Sequence, residues 1–65
     1  MENFLTIREV ADRLRVSEKH VYGLCYSGEL ARHKFGRSVR ISEKELARYV
    51  EASVVIGPES MEDRR

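Results

Sequence analysis

Two residues, Arg15 and Val16, are all that separate one amphipathic segment from the next. Upstream, Ile7, Val10, Ala11 and Leu14 recur at i, i+3, i+4 and i+7, the stripe of a helix packed on one side. Downstream, Ser17 is of the type that caps a helix start, and Val21, Leu24 and Cys25 form the inward stripe of a second helix. With so short a join, the two helices cannot drift apart and must cross sharply.

Hydroxyl caps repeat along the chain. Thr6-Ile7-Arg8-Glu9 and Ser42-Glu43-Lys44-Glu45 both fit the capping box, in which a hydroxyl and a later carboxylate satisfy the free backbone N–H groups of a helix start. Leu5 with Val10 and Ile41 with Leu46 supply the apolar staple at each. Ser17 has His20 in place of the Glu, but Val16 and Val21 provide a staple there too. The second helix is expected to stop at Gly28, which takes the left-handed C-terminal conformation cheaply. The third runs from about Ser42 to Ala52, with Leu46, Ala47 and Val50 as its expected core face.

Between helices two and three lies a hairpin. His33, Phe35, Val39 and Ile41 share parity, which predicts Phe35 opposite Val39, a three-residue loop Gly36-Arg37-Ser38, and Lys34 facing Arg40 outside. The hairpin would then have one apolar side and one basic side. The fold expected is mostly α with a small β-hairpin wing, a winged helix-turn-helix over residues 4–56. Residues 57–65 read as a disordered tail, since Gly57-Pro58 opens a charged end.

Sixty-five residues allow one small domain, and 42% hydrophobic content with mixed charge argues for a globular body. The longest apolar run, Val54-Val55-Ile56, cannot span a bilayer. Met1-Glu2-Asn3 has no basic start of a secretory signal. Cys25 is the single cysteine, so no internal disulfide forms. An intracellular, cytoplasmic protein is the expectation. The net charge of +1 hides an asymmetry. Arg13, Arg15, Lys19, Arg32, Lys34, Arg37 and Arg40 oppose only Glu18 and Glu29, whereas beyond Ser42 acids outnumber bases. A basic middle beside an acidic end suits a surface that meets a polyanion on one side.

The outer face of helix two is unusual. Lys19, Tyr22, Gly23 and Tyr26 also follow i, i+3, i+4, i+7, opposite the buried stripe. Two tyrosines, a lysine and a glycine offer donors, flat apolar surface and a place where another backbone can come close. Such a helix, after a tight turn and before a basic hairpin, has the shape of a DNA reader, with the helix in the major groove and the hairpin at phosphates or the adjacent minor groove. The expected DNA-binding surface is Arg15, Ser17, Lys19, His20, Tyr22, Gly23 and Tyr26, with Lys34, Arg37, Ser38 and Arg40 on the wing. His20, His33 and Cys25 invite a zinc reading, but Cys25 lies on the core stripe and no fourth ligand is evident, so no metal and no cofactor are expected. A buried thiol is also inert as a nucleophile. With no paired carboxylates, phosphate loop or serine–histidine arrangement, the chain is not expected to be an enzyme.

The stretch from Leu5 to Ser53 resembles the excisionase-type, MerR-like winged-helix DNA-binding domains. L-T-x-x-E-V-A at 5–11, L-x-V-S at 14–17, Val21-Tyr22, S-G-E-L at 27–30 and G-R-x-x-R-I-S at 36–42 carry the likeness. Gly23 and Tyr26 stand where that family often has basic residues, and Val39 where a wing aromatic is usual. The resemblance implies a bacterial or phage DNA-binding protein, often a recombination directionality factor that shapes attachment-site DNA for an integrase. Head-to-tail self-association on DNA is a further expectation: Glu43, Glu45 and Glu51 would meet Arg8, Arg13 or Arg15 of a neighbour. A small transcriptional regulator of the same fold, or a protein-binding module such as an antitoxin, are the alternatives.

Overall fold

All three helices begin on a hydroxyl that accepts from the backbone three residues on. Thr6 accepts from Glu9 N, Ser17 from His20 N and Ser42 from Glu45 N, at 3.0–3.1 Å. Thr6 completes the reciprocal box, since Glu9 Oε1 takes the Thr6 amide at 2.8 Å. At Ser42 the box is half made, because the Glu45 carboxylate turns to Arg48. A computed structural model describes residues 3–55. In chain order it has β1 (Phe4–Thr6), α1 (Ile7–Leu14), α2 (Glu18–Ser27), β2 (His33–Phe35), β3 (Ser38–Ser42) and α3 (Glu43–Ala52). This is a winged helix-turn-helix, with three helices around a small antiparallel sheet.

The core forms where the stripes converge. Val10, Val21 and Ile41 are fully buried, joined by Leu5, Ile7, Ala11, Leu24, Cys25, Leu30 and Leu46. Burial of each large aliphatic contributes about 1.5–3 kcal/mol, which binds α1, α2 and the sheet into one body. Leu30 was not among the expected core residues. Its amide and that of Glu29 both donate to the Leu24 carbonyl, so the chain folds back after Gly28 (φ 85°) and drives Leu30 inward.

β1 is also absent from the sequence expectation. It lies antiparallel to β3, with Leu5 opposite Ile41 and Thr6 opposite Arg40, so the sheet order is β1-β3-β2. A three-residue strand is too short to show alternation, and only pairing with a strand far along the chain defines it.

Two expectations are corrected. The hairpin loop has two residues, Gly36-Arg37, not three: Phe35 opposes Ser38, Lys34 opposes Val39 and His33 opposes Arg40. Gly36 at φ 64° supplies the positive φ that a two-residue turn with glycine first requires, while Arg37 needs none. The shift by one residue turns β2 over. His33 and Phe35 share the outer face with Arg40, and Lys34 shares the face of Val39. The apolar partner of Phe35 is Phe4 of β1, which the hairpin pattern alone does not reveal. The inward face of α3 is Leu46 with Tyr49, whereas Ala47 and Val50 are exposed beside an open groove against Arg13 and Leu14. Tyr49 packs half-buried against the core, and Val50 is 44% exposed. Ile56 and the tail at 57–65 lie outside the described residues.

Candidate nucleic-acid interface

The turn between α1 and α2 is set by Arg15. It ends α1 in the left-handed conformation (φ 61°, ψ 44°), and its amide donates back to the Asp12 carbonyl at 3.3 Å. Holding a non-glycine residue there costs of order 1 kcal/mol. Val16 follows, donating to the Ala11 carbonyl at 3.0 Å, and Ser17 then caps α2. The Ser17 hydroxyl is thus committed to the His20 amide, although the residue itself is exposed. Arg15 is exposed at the entry of α2.

α2 divides cleanly. Val21, Leu24 and Cys25 are buried, while Lys19, His20, Tyr22, Gly23 and Tyr26 all face outward. Tyr22 is 42% exposed and Tyr26 78%. Gly23 has no reason to be glycine that the fold supplies. Its φ is not positive, and a Cβ built there meets nothing within 4 Å. Glycine in a helix interior costs about 0.8–1.0 kcal/mol against alanine. The residue weakens the helix and leaves a bare strip of backbone between two tyrosines.

Arg32 belongs to this surface and was missing from the sequence-based set. Its guanidinium lies 5.6 Å from the centre of the Tyr26 ring, and Nη1 donates to the Cys25 carbonyl at 3.2 Å. α2 has no basic residue in its last turn. Arg32 reaches back from just before β2 to supply that positive charge at the helix C-terminus. It ties the helix to the start of the wing and braces Tyr26. The signal was available as a lone arginine after a helix-ending glycine, but nothing local says where it points.

The wing presents Lys34, Phe35, Arg37 and Ser38 as exposed residues. Arg40 is half-buried, and its Nη1 donates to the Val39 carbonyl at 3.0 Å. Lys34 and Arg40 stand on opposite faces of the hairpin rather than together. Acids lie elsewhere: Glu43 pairs with Arg13 at 3.2 Å and Glu45 with Arg48 at 3.3 Å, both at the surface, where such pairs contribute only about 0–1 kcal/mol.

The three residues of the zinc reading do not converge. Cys25 is buried, His20 is exposed on α2, and His33 stacks with Phe35. Among the described residues no group of three or more His, Cys, Asp or Glu could hold a metal. Burial pushes the Cys25 thiol above its ordinary range, with the Arg32 charge working against that rise. The thiol is therefore neutral near pH 7. No helix among the described residues is long and apolar enough to cross a membrane.

The chain is similar to several known proteins. Two Mycobacterium tuberculosis proteins, MT0521 of strain CDC 1551 and Rv0500A of strain H37Rv, are each 43% identical over 49 residues, which is 75% of this chain and 63% of theirs. Their names carry a provisional DNA-binding label. YvgK of Bacillus subtilis, an uncharacterized protein, is 43% identical over 44 residues, 68% of this chain but 14% of its own length. The chain thus spans less than two thirds of each of these relatives. No solved structure matches. A family model described as "Helix-turn-helix domain" matches residues 4–53, from the first strand to the residue that follows α3, and the chain belongs to that family.

Proposed function

We propose that this chain binds double-stranded DNA in a sequence-specific manner. α2 enters the major groove, and the wing follows the backbone into the neighbouring minor groove. Lys19, His20, Tyr22, Gly23 and Tyr26 form the reading face, with Arg15 and Ser17 at its entry. Lys34, Arg37, Ser38 and Arg40 contact phosphate or the minor groove, where positive charge displaces counterions. The observation that carries this reading is Gly23, bare and exposed mid-helix between Tyr22 and Tyr26, at a cost in stability with no packing return. A close approach by something outside the fold gives that glycine a purpose. The family match and the DNA-binding label of the mycobacterial relatives support the same reading.

The finer role we propose is architectural. Several copies bind neighbouring sites head-to-tail, bend the DNA and help an integrase form its excisive complex, as a recombination directionality factor does. The sequence motifs shared with excisionase-type domains support it. The self-contact must differ from the simplest charge pairing, because Arg13 and Glu43 already pair within one chain, as do Arg48 and Glu45. Arg8, Arg15 and Glu51 stand outside the ion pairs of the described residues and are the better candidates. Bending costs on the order of 1–6 kcal/mol by elastic estimates, which contacts from several copies can offset.

The test is selection of duplexes from a random pool, followed by titration on DNA with one, two and three copies of the selected site. Cooperative filling with a mobility shift that depends on site position supports the architectural role. Independent filling on straight DNA points instead to a small transcriptional regulator. No enrichment of any duplex removes the DNA reading and favours a protein-binding module.

A further inference from the structure

Duplex binding through α2 and the wing leaves the aromatic side chains on the outer face of the sheet without a role. That face carries an aromatic triad. Phe4 and Phe35 are 41% and 52% exposed, and His33 is half-buried. The ring of Phe4 meets His33 edge-on at 5.1 Å and Phe35 edge-on at 5.3 Å, while His33 and Phe35 lie parallel within 8°, 6.2 Å apart. Rings interlocked in this way present fixed faces rather than swinging side chains.

Within the three strands and the β2–β3 turn, the charge is of one sign. Arg40 shares the face, opposite His33 on one side and Thr6 on the other, and Arg37 stands in the adjoining turn. Neither the three strands nor that turn contains a carboxylate. Among the described residues, Glu9 accepts from the Thr6 amide at 2.8 Å, and Glu43, which follows β3, pairs with Arg13.

We propose that this face binds single-stranded DNA, stacking unpaired bases on Phe35 and Phe4 while Arg37 and Arg40 hold the phosphates. Stacked aromatics flanked by cations are what a single strand requires, because every base has a π-face to offer. A duplex does not fit as well. Its base faces are covered by their neighbours, and only base edges open into the grooves. Phe35 is braced against Phe4 on the flat of the sheet, so it serves as a platform rather than a wedge. The site is separate from the outward face of α2, and its occupant differs. Arg37 and Arg40 are the cations that the two occupants share, so the aromatic plate is what distinguishes them.

Fluorescence anisotropy of the full chain decides the matter with three labelled probes: a single strand of about 12 nucleotides, its duplex, and an abasic strand of the same length. The single strand should bind about tenfold more tightly than the abasic strand. Phe35→Ala should lose about tenfold on the single strand and nothing on the duplex, Phe35→Tyr should retain single-strand binding, and Lys19→Ala should weaken the duplex. Circular dichroism checks the fold of each variant; if Phe35→Ala does not fold, the abasic comparison and Phe35→Tyr still decide. Equal affinity for the abasic strand overturns the proposal, as does a folded Phe35→Ala that binds the single strand normally. Loss of duplex binding alone in the wild-type protein would overturn the α2 reading and leave this one standing.

Discussion

α2 and the sheet both turn aromatic side chains to solvent, but they hold them by different means. On α2, Tyr22 and Tyr26 stand one turn apart on a scaffold fixed at both ends by local bonds, Ser17 at the start and Gly28 with Arg32 at the finish. On the sheet, Phe4, His33 and Phe35 hold one another, and the strands that carry them lie almost thirty residues apart in sequence. The first surface is a rigid rod with independent side chains around a bare glycine, suited to probing a groove. The second is a single interlocked plate that depends on tertiary pairing. Local capping gives separable contacts, and cross-strand packing gives a surface that survives or fails as one.

Substitution at Leu30 tests what the two surfaces share. The residue is 1% exposed in the segment that joins α2 to β2. Leu30→Ala should cost about 2–5 kcal/mol and lower the melting temperature by at least about 8 °C, and both surfaces should fail together. Thermal unfolding alongside binding checks this; survival of one surface without the other would contradict a common core.

Arg37→Ala removes a cation that both surfaces use, and its effect on the duplex is the more specific. It should weaken duplex binding by roughly 1–3 kcal/mol, relax preference at a position outside the α2 contacts and flatten the salt dependence by about one unit, with the fold unchanged. Lys34→Ala should flatten the slope similarly but weaken all sequences alike. An unchanged salt slope removes either side chain from the phosphate surface.

Gly23→Ala sharpens the contrast because its two effects have opposite signs. The helix should gain up to about 1 kcal/mol, since alanine fits the open space, while duplex affinity falls. A more stable protein that binds equally well would mean that nothing approaches this strip of backbone.

The smallest effect is a pH dependence that reports on the core behind α2. Burial raises the folded Cys25 thiol above its unfolded value, so folding favours the neutral form. The resulting stability is complete below the unfolded value and is lost as pH rises through the raised one. Unfolding curves measured from pH 7 into the alkaline range should therefore weaken more steeply for the wild type than for Cys25→Ala. Parallel curves would show that the thiol does not titrate with folding.

The helical half of this architecture is written locally. Thr6, Ser17 and Ser42 all cap their helices, although the Ser42 box is only half made, and the stripes of α1 and α2 turn inward as spaced, with Leu14 half-buried. The sheet is not written that way. Hairpin parity alone points to Phe35 opposite Val39, whereas Phe4, on a strand far away in the sequence, supplies the contact of Phe35. The burial of Leu30 and the contact of Arg32 with Tyr26 are not legible for the same reason, since a backbone reversal after Gly28 decides where both point. The outward positions of Lys19, Tyr22, Gly23 and Tyr26 were legible from helical periodicity; the aromatic plate was legible from nothing short of the fold.

The central claim is that the outward face of α2, with the wing, meets duplex DNA. Chemical-shift mapping of the isotope-labelled chain against a selected duplex tests it most directly. Amide shifts should concentrate at Lys19, His20, Tyr22, Gly23, Tyr26, Arg37 and Ser38, leaving Ala47 and Val50 undisturbed. Shifts gathered instead around Arg13, Ala47 and Val50, with α2 silent, would contradict it.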